Sequence, residues 1–189
     1  MCLAAGVDGI GLNFWAGTPR RVSLGRAEAI LAAVGGALEV VGVFVDEAPA
    51  AIARLRQQLG LHWVQLHGDE SPGDVRRLLP RAYKAIGVAS VADVDTALRF
   101  PGERLLLDAR VPSAMPGGTG HRFDWELARP LATRRTLMLA GGIHPWNVAE
   151  AVAQVRPAWI DVASGVELAP GVKDPRAVEA LVAAVRATG

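Results

Sequence analysis

The chain has 189 residues, 51% of them apolar and 21% charged, with 20 Lys and Arg against 19 Asp and Glu for a net charge of +1. That balance leaves no strongly basic face for nucleic acid or an anionic membrane, and a single cysteine excludes an internal disulfide or a cysteine-based zinc cluster. The length predicts one domain over 1–189. No apolar run approaches the roughly 18 residues of a membrane span, and no leader pattern stands at the start, so a cytoplasmic protein is expected.

The opening MCLAAG reads as the back half of an amphipathic helix stopped at Gly6, and DGIGLNF as a buried strand. Domains that alternate strands and helices usually begin on a strand, so an N-terminally incomplete domain is expected. The loop NFWAGTPRRVS carries Arg20 and Arg21, and LGRAEAILAAV reads as a helix. Strand EVVGVFVD ends at Asp46, and helix APAAIARLRQQLG follows. Strand WVQLH ends at His67, and Ser71-Pro72 caps a helix over GDVRRLLPR. Next come strand RAYKAIGV, helix VADVDTALRF and strand RLLLDA, whose last polar residue is Asp108. A glycine-rich loop, PGGTG, leads to a predicted helix over DWELARPLA. Strand TLMLAGG, helix PWNVAEAVAQV, strand WIDVASG and an Asp174-Pro175 cap before PRAVEALVAAVRA complete the chain.

The strands are continuous apolar runs rather than alternating ones, the pattern of a parallel sheet covered on both faces. Strand-then-helix, repeated seven times, means a (β/α) fold with right-handed crossovers. Periodicity alone leaves a closed barrel and an open doubly wound sheet as alternatives. Polar residues and glycines fall at the ends of many strands: Asn13, Asp46, His67, Asp108, Gly141–Gly142 and Ser164–Gly165. A barrel gathers such ends on one face, whereas an open sheet uses chiefly one switch point, so the barrel is favoured.

Three stretches carry chemistry. Asp108 closes an apolar strand, where a carboxyl is costly to ionise, as a general acid or as a loop-orienting acceptor. Behind it, Gly117, Gly118, Thr119 and Gly120 form a loop long enough to move over a site, or an ordinary turn. Gly141–Gly142 in LAGGIHPWN and Ser164–Gly165 in DVASGVE lie on successive strands. Glycines there admit an anion close to backbone N–H groups, so the pair points to a phosphorylated small-molecule substrate. Arg20 or Arg21 is a candidate carboxylate or phosphate clamp, or a solvated loop arginine. His67 is a candidate substrate contact, and Asp161 a barrel-interior carboxylate. Four unclustered histidines make a metal site unexpected.

Taken together, AGVDGIGLNFWAGTPRRVS, VVGVFVDE, VQLHGDE, KAIGV, LLLDA, PGGTGHRFDW, LAGGIHPWNV and IDVASGVELAPGVKD resemble the phosphoribosylanthranilate isomerases of tryptophan biosynthesis, in order from residue 4 to the C-terminus. The resemblance implies a (β/α)₈ TIM barrel and an Amadori rearrangement of N-(5-phosphoribosyl)anthranilate, with no cofactor and no metal. It assigns Asp108 as the acid that opens the furanose ring and Arg20 as the partner of the anthranilate carboxylate. It places phosphate on Gly141, Gly142, Ser164 and Gly165, and His67 and Asp161 in the substrate pocket. Arg21 stands where the family often has an aromatic residue. The family begins on a strand reading roughly K-I-C-G, whose cysteine is the general base. That strand and the opening of the first helix are expected to be missing here, and Cys2, four residues before Gly6, is expected to be a packing residue. Two further readings stand beside the isomerase: a non-catalytic phosphoribosyl-binding barrel remnant, and another phosphosugar isomerase working with two aspartates. A monomer is the default expectation, with a homodimer as the alternative.

Overall fold

The computed structural model describes residues 1–109 and 124–188. Seven parallel strands run in sequence order: β1 (Gly9–Asn13), β2 (Glu39–Phe44), β3 (Trp63–Leu66), β4 (Ala82–Val88), β5 (Arg104–Ala109), β6 (Thr136–Leu139) and β7 (Trp159–Ile160). Each pairs with the next, as in Gly9 with Glu39, Val64 with Ala82 and Leu106 with Met138. The order never reverses, which separates this sheet from a doubly wound one. Side chains of β5 also meet those of β2, β3 and β7: Arg104 pairs with Glu39 through Nη2 at 3.0 Å and stacks on Trp63 at 4.0 Å and Trp159 at 5.2 Å. In a flat sheet β2 and β5 would be about 14 Å apart, so the sheet curls as a (β/α) barrel does. No ladder joins β7 to β1 among the described residues.

The helices take the apolar outer face. Helix α1 (Cys2–Ala5) is one turn, closed at Gly6 with φ 74°, and packs on α8 (Pro175–Arg186), whose Arg186 Nη2 donates to the Gly6 carbonyl at 2.8 Å. Helices α2 (Leu24–Val34), α3 (Pro49–Leu59), α4 (Pro72–Leu78), α5 (Val91–Ala97) and α7 (Val148–Val155) fall where the sequence places them. Ser71 and Asp74 form the capping box that starts α4. Two segments differ from expectation. DWELARPLA folds as a 3₁₀ turn (Trp125–Leu127) and a four-residue helix, α6 (Arg129–Ala132), rather than one continuous helix. WIDVASG contributes only Trp159–Ile160 as strand, because Ser164–Val166 turns into a 3₁₀ helix. A hairpin, β8 (Glu167–Ala169) with β9 (Val172–Lys173), follows and was not foreseen.

Side chains alternate between the two faces of each strand. Leu105, Leu107 and Ala109 join the outer core with Val64, Leu66, Leu137 and Leu139. Leu106 joins Trp63, Tyr83, Ala85, Met138 and Ala140 in a second cluster on the inner face. The same parity puts Arg104 and Asp108 at opposite ends of the inner face of β5, and Trp63, Gln65 and His67 in a row along β3. Cys2 packs against the outer core on α1, in keeping with a packing role.

Arg104 brings a mostly buried positive charge to the inner face, and Glu39 is the carboxylate that meets it. Removing one partner of a mostly buried pair leaves the other charge unpaired, so Glu39→Ala is expected to lower the unfolding free energy by about 2–4 kcal/mol. Urea titration measures this, and a change below about 0.5 kcal/mol, the size of a surface pair, would show that the pair adds nothing.

Candidate active site

Asp108 sits at the C-terminal end of β5, 7% exposed, with Oδ1 accepting from the N–H of Ala109 at 2.8 Å. Burial pushes its carboxyl up to about 7, the nearby charge of Asp161 adds to this, and the Ala109 bond opposes it. His67, at the end of β3, places Nε2 3.6 Å from Asp108 Oδ2. Burial, and then the charge of Lys84, bring the imidazole down to about 4. The histidine is therefore kept uncharged, and the aspartic acid keeps its proton to a higher pH than an exposed carboxyl would. That state suits a general acid.

The rest of the mouth is built on short bonds. Lys84 is buried and donates from Nζ to the carbonyls of Leu66 (3.1 Å), Gly68 (2.7 Å) and Ala85 (2.9 Å) and to Glu70 Oε2 (3.1 Å). Glu70 in turn accepts from the N–H groups of Asp46 and Gly68, both at 2.9 Å. Burial lowers the Lys84 pKa, and Glu70 offsets part of the fall. This knot ties the loops after β2 and β3 together. Sequence reasoning singled out neither Lys84 nor Glu70; a lysine inside an apolar strand run was the available signal.

The two glycine loops come together as expected. Gly141 has φ 86°, and a Cβ there would overlap Ala109 N and stand 2.8 Å from Asp108 Oδ1, so only glycine brings this loop against the acid. A Cβ on Gly165 would overlap the Ile143 carbonyl, which puts the Ser164–Val166 turn directly on the diglycine loop. Asn147 braces that loop, accepting from His144 N at 2.7 Å and donating to the Gly142 carbonyl at 2.8 Å.

Arg20 is not a solvated loop arginine. It grips Glu167 of β8: Nε stands 3.1 Å from both carboxylate oxygens, and Nη2 is 2.8 Å from Oε2. Lys173 reaches the same carboxylate at 3.1 Å. Burial alone would raise Glu167, and the bonds from Arg20 and Lys173 outweigh it, holding the carboxyl below its usual range. One edge of the guanidinium is thereby taken by the protein. Arg21 lies apart, lining a hollow of about 430 Å³ with Phe14, Trp15 and Phe44. Asp161 follows β7 with its N–H on the Leu139 carbonyl at 2.9 Å. It was expected as a satisfied interior carboxylate, yet its carboxyl has no hydrogen-bond partner among the described residues. The residue as a whole is exposed, but partial desolvation of its carboxyl raises the pKa against the pull of Lys173. Gly117, Gly118, Thr119 and Gly120 lie outside the described residues.

The two opposed shifts make a stability prediction. Between pH 4 and 6.5 an unfolded chain holds its proton on histidine and not on aspartate, whereas the folded chain does the reverse. The pair therefore takes up no net proton on folding in that window, and its two contributions to the pH slope cancel. Asp108→Asn removes the term that falls with pH and leaves the His67 term, which rises. Relative to the unsubstituted chain, stability of the variant is expected to climb by roughly 1 kcal/mol per pH unit from 4 to 6.5. Urea titrations across that range check it, and parallel curves would refute the paired shifts. Gly141→Ala is expected to cost about 1–3 kcal/mol, from φ strain and overlap, and to displace Asp108, read as a shift of its carboxyl ¹³C resonance.

The profile of the N-(5'phosphoribosyl)anthranilate (PRA) isomerase family matches residues 2–184. An enzyme named N-(5'-phosphoribosyl)anthranilate isomerase from Trichlorobacter lovleyi is 43% identical over 171 residues, covering 90% of this chain and 83% of that protein. One of the same name from Magnetococcus marinus is 43% identical over 182 residues, covering 96% and 86%. The crystal structure of phosphoribosyl anthranilate isomerase from Thermotoga maritima superposes with a TM-score of 0.88 at 36% identity, covering 98% of this chain and 91% of that one. A structure of the isomerase in complex with reduced 1-(o-carboxyphenylamino)-1-deoxyribulose 5-phosphate gives 0.85 at 34% identity, covering 98% and 90%. With matched sequence along nearly its whole length and the barrel architecture in common, this chain belongs to the N-(5'-phosphoribosyl)anthranilate isomerase family.

Proposed function

We propose that this chain converts N-(5-phosphoribosyl)anthranilate to 1-(o-carboxyphenylamino)-1-deoxyribulose 5-phosphate in tryptophan biosynthesis, with Asp108 as the general acid. The observation that carries the proposal is a buried carboxyl at a strand end, packed against a glycine loop that suits a phosphate and facing His67 at 3.6 Å. Asp108 gives its proton to the ring oxygen, the C1–O bond breaks, and a protonated Schiff base forms. Loss of the C2 proton then yields an enolamine, which takes a proton at C1 and gives up the proton of its C2 hydroxyl to become the ketone, so atoms and charge balance without redox chemistry. Backbone N–H groups of Gly141, Gly142, Ser164 and Gly165 hold the phosphate. The edge of Arg20 turned away from Glu167 takes the anthranilate carboxylate, and His67 and Asp161 wall the reacting carbons.

The resemblance assigns removal of the C2 proton to a cysteine on a K-I-C-G strand, and Cys2 on α1 is not that residue. Turnover is therefore followed, as loss of anthranilate-type fluorescence, on this chain and on the chain with such a strand placed before Met1. In whichever form turns over, Asp108→Asn is expected to lower kcat by about 10²–10⁴ while Kd for the reduced product changes only a few-fold. Tight binding with no turnover in either form would replace this reading with a phosphoribosyl-binding barrel. The active form is expected as a cytoplasmic monomer.

A further inference from the structure

A buried chain of side chains leads into the acid from the side opposite the phosphate loop. Tyr83 on β4 is 1% exposed, and its Oη lies 3.0 Å from Gln65 Oε1. Gln65 on β3 is 4% exposed, and its Nε2 lies 3.0 Å from His67 Nδ1. His67 Nε2 then faces Asp108 Oδ2 at 3.6 Å. Neither Tyr83 nor Gln65 has a place in the proposed reaction.

The direction of this chain follows from donors and acceptors. Burial holds the Tyr83 phenol well above its usual range, with the charges of Asp161 and Glu39 adding and Arg104 opposing, so it remains an O–H donor. In the arrangement present, that O–H donates to Gln65 Oε1, and the amide nitrogen faces His67. An amide N–H₂ can only donate, so His67 Nδ1 must accept and carry no proton. The remaining proton sits on Nε2, directed at Asp108. Imidazolium would set an Nδ1–H against an amide N–H, two donors head to head in a dry site.

We propose that Gln65, oriented by Tyr83, is a positioning residue that locks His67 in its neutral Nε2–H tautomer beside Asp108. A positive imidazolium within 4 Å of a carboxyl lowers its pKa by about 1–3 units, so the lock protects the proton on Asp108. That consequence for turnover rests on the acid role proposed above. The other ionisable groups facing the pair among the described residues are Lys84 of β4, engaged by Glu70 and flanked by Asp46 and Asp69, and Asp161 after β7.

The test is ¹⁵N NMR of the His67 ring in the full chain, which needs no turnover, together with the Gln65→Glu variant. In the unsubstituted chain a neutral Nε2–H ring is expected from pH 5.5 to 8; an Nδ1–H tautomer or an imidazolium at pH 6 would overturn the lock. Glutamate keeps the shape and the bond from Tyr83 but accepts a proton from Nδ1. His67 in Gln65→Glu is therefore expected to titrate above pH 6, at least two units above its value in the unsubstituted chain. Unchanged titration would overturn the proposal. In the form that turns over, the alkaline limb of the kcat/KM profile is expected to move down by about one unit. A shifted imidazole with an unmoved limb would leave the lock standing and remove Asp108 from its role as acid. Should Gln65→Glu fail to fold, Tyr83→Phe frees the amide to turn, and mixed ring tautomers are expected; a ring still wholly Nε2–H would refute the part assigned to Tyr83.

Discussion

A charge inside a ring of apolar strands must be paired or neutral, and the inner face of this sheet depends on that constraint. Every second residue of each strand points inward, so any polar side chain at such a position is shut away from water on entry. The fold answers differently at its two ends. At the N-terminal end of the strands Arg104 and Glu39 pair, with Trp63 and Trp159 against the guanidinium. At the C-terminal end His67 and Asp108 meet as largely neutral groups. The first arrangement holds non-neighbouring strands together. The second leaves a proton on a carboxyl at a pH where solvent would remove it.

The surroundings keep the second arrangement in place. Lys84 lies close enough to His67 to discourage an imidazolium, yet its own charge is absorbed by Glu70 and three carbonyls. Gly141 closes the opposite side, and its missing side chain brings the diglycine loop into contact with the Asp108 carboxyl. Any anion held by that loop would lie close to the Asp108 carboxyl and favour its protonated form. Arg20 obeys the same rule. A guanidinium at the barrel rim found an internal carboxylate, Glu167, and with it tied the loop after β1 to the hairpin after β7. A side chain held in this way keeps few of its rotamers.

Much of the frame was legible residue by residue. Helix α2 fell on the predicted LGRAEAILAAV, and Ser71 and Asp174 capped the helices they precede, because caps and apolar runs are local signals. DWELARPLA broke into two short pieces, with Pro130 standing early in the second. The β8–β9 hairpin escaped notice because ELAPGVK offers only a brief apolar pattern around its turn. At the site, the glycine pairs and Asp108 were visible as residue types out of keeping with the ends of apolar strands. Gln65, Tyr83 and Glu167 were not, since each looks ordinary in its own segment and acquires meaning only from a partner on another.

What the sequence by itself determined is therefore the seven strands, most of the helices between them, their parallel arrangement and the residues at the strand ends, all properties of neighbours along the chain. The tertiary structure decided the rest. It alone brought His67 to Asp108 from two separate strands, set Gly141 against the Asp108 carboxyl, turned Arg20 to Glu167 and aligned Tyr83 with Gln65. The reason is physical: a pKa or a proton's direction depends on what excludes water and which donor faces which acceptor, and the curl of the sheet is what sets both.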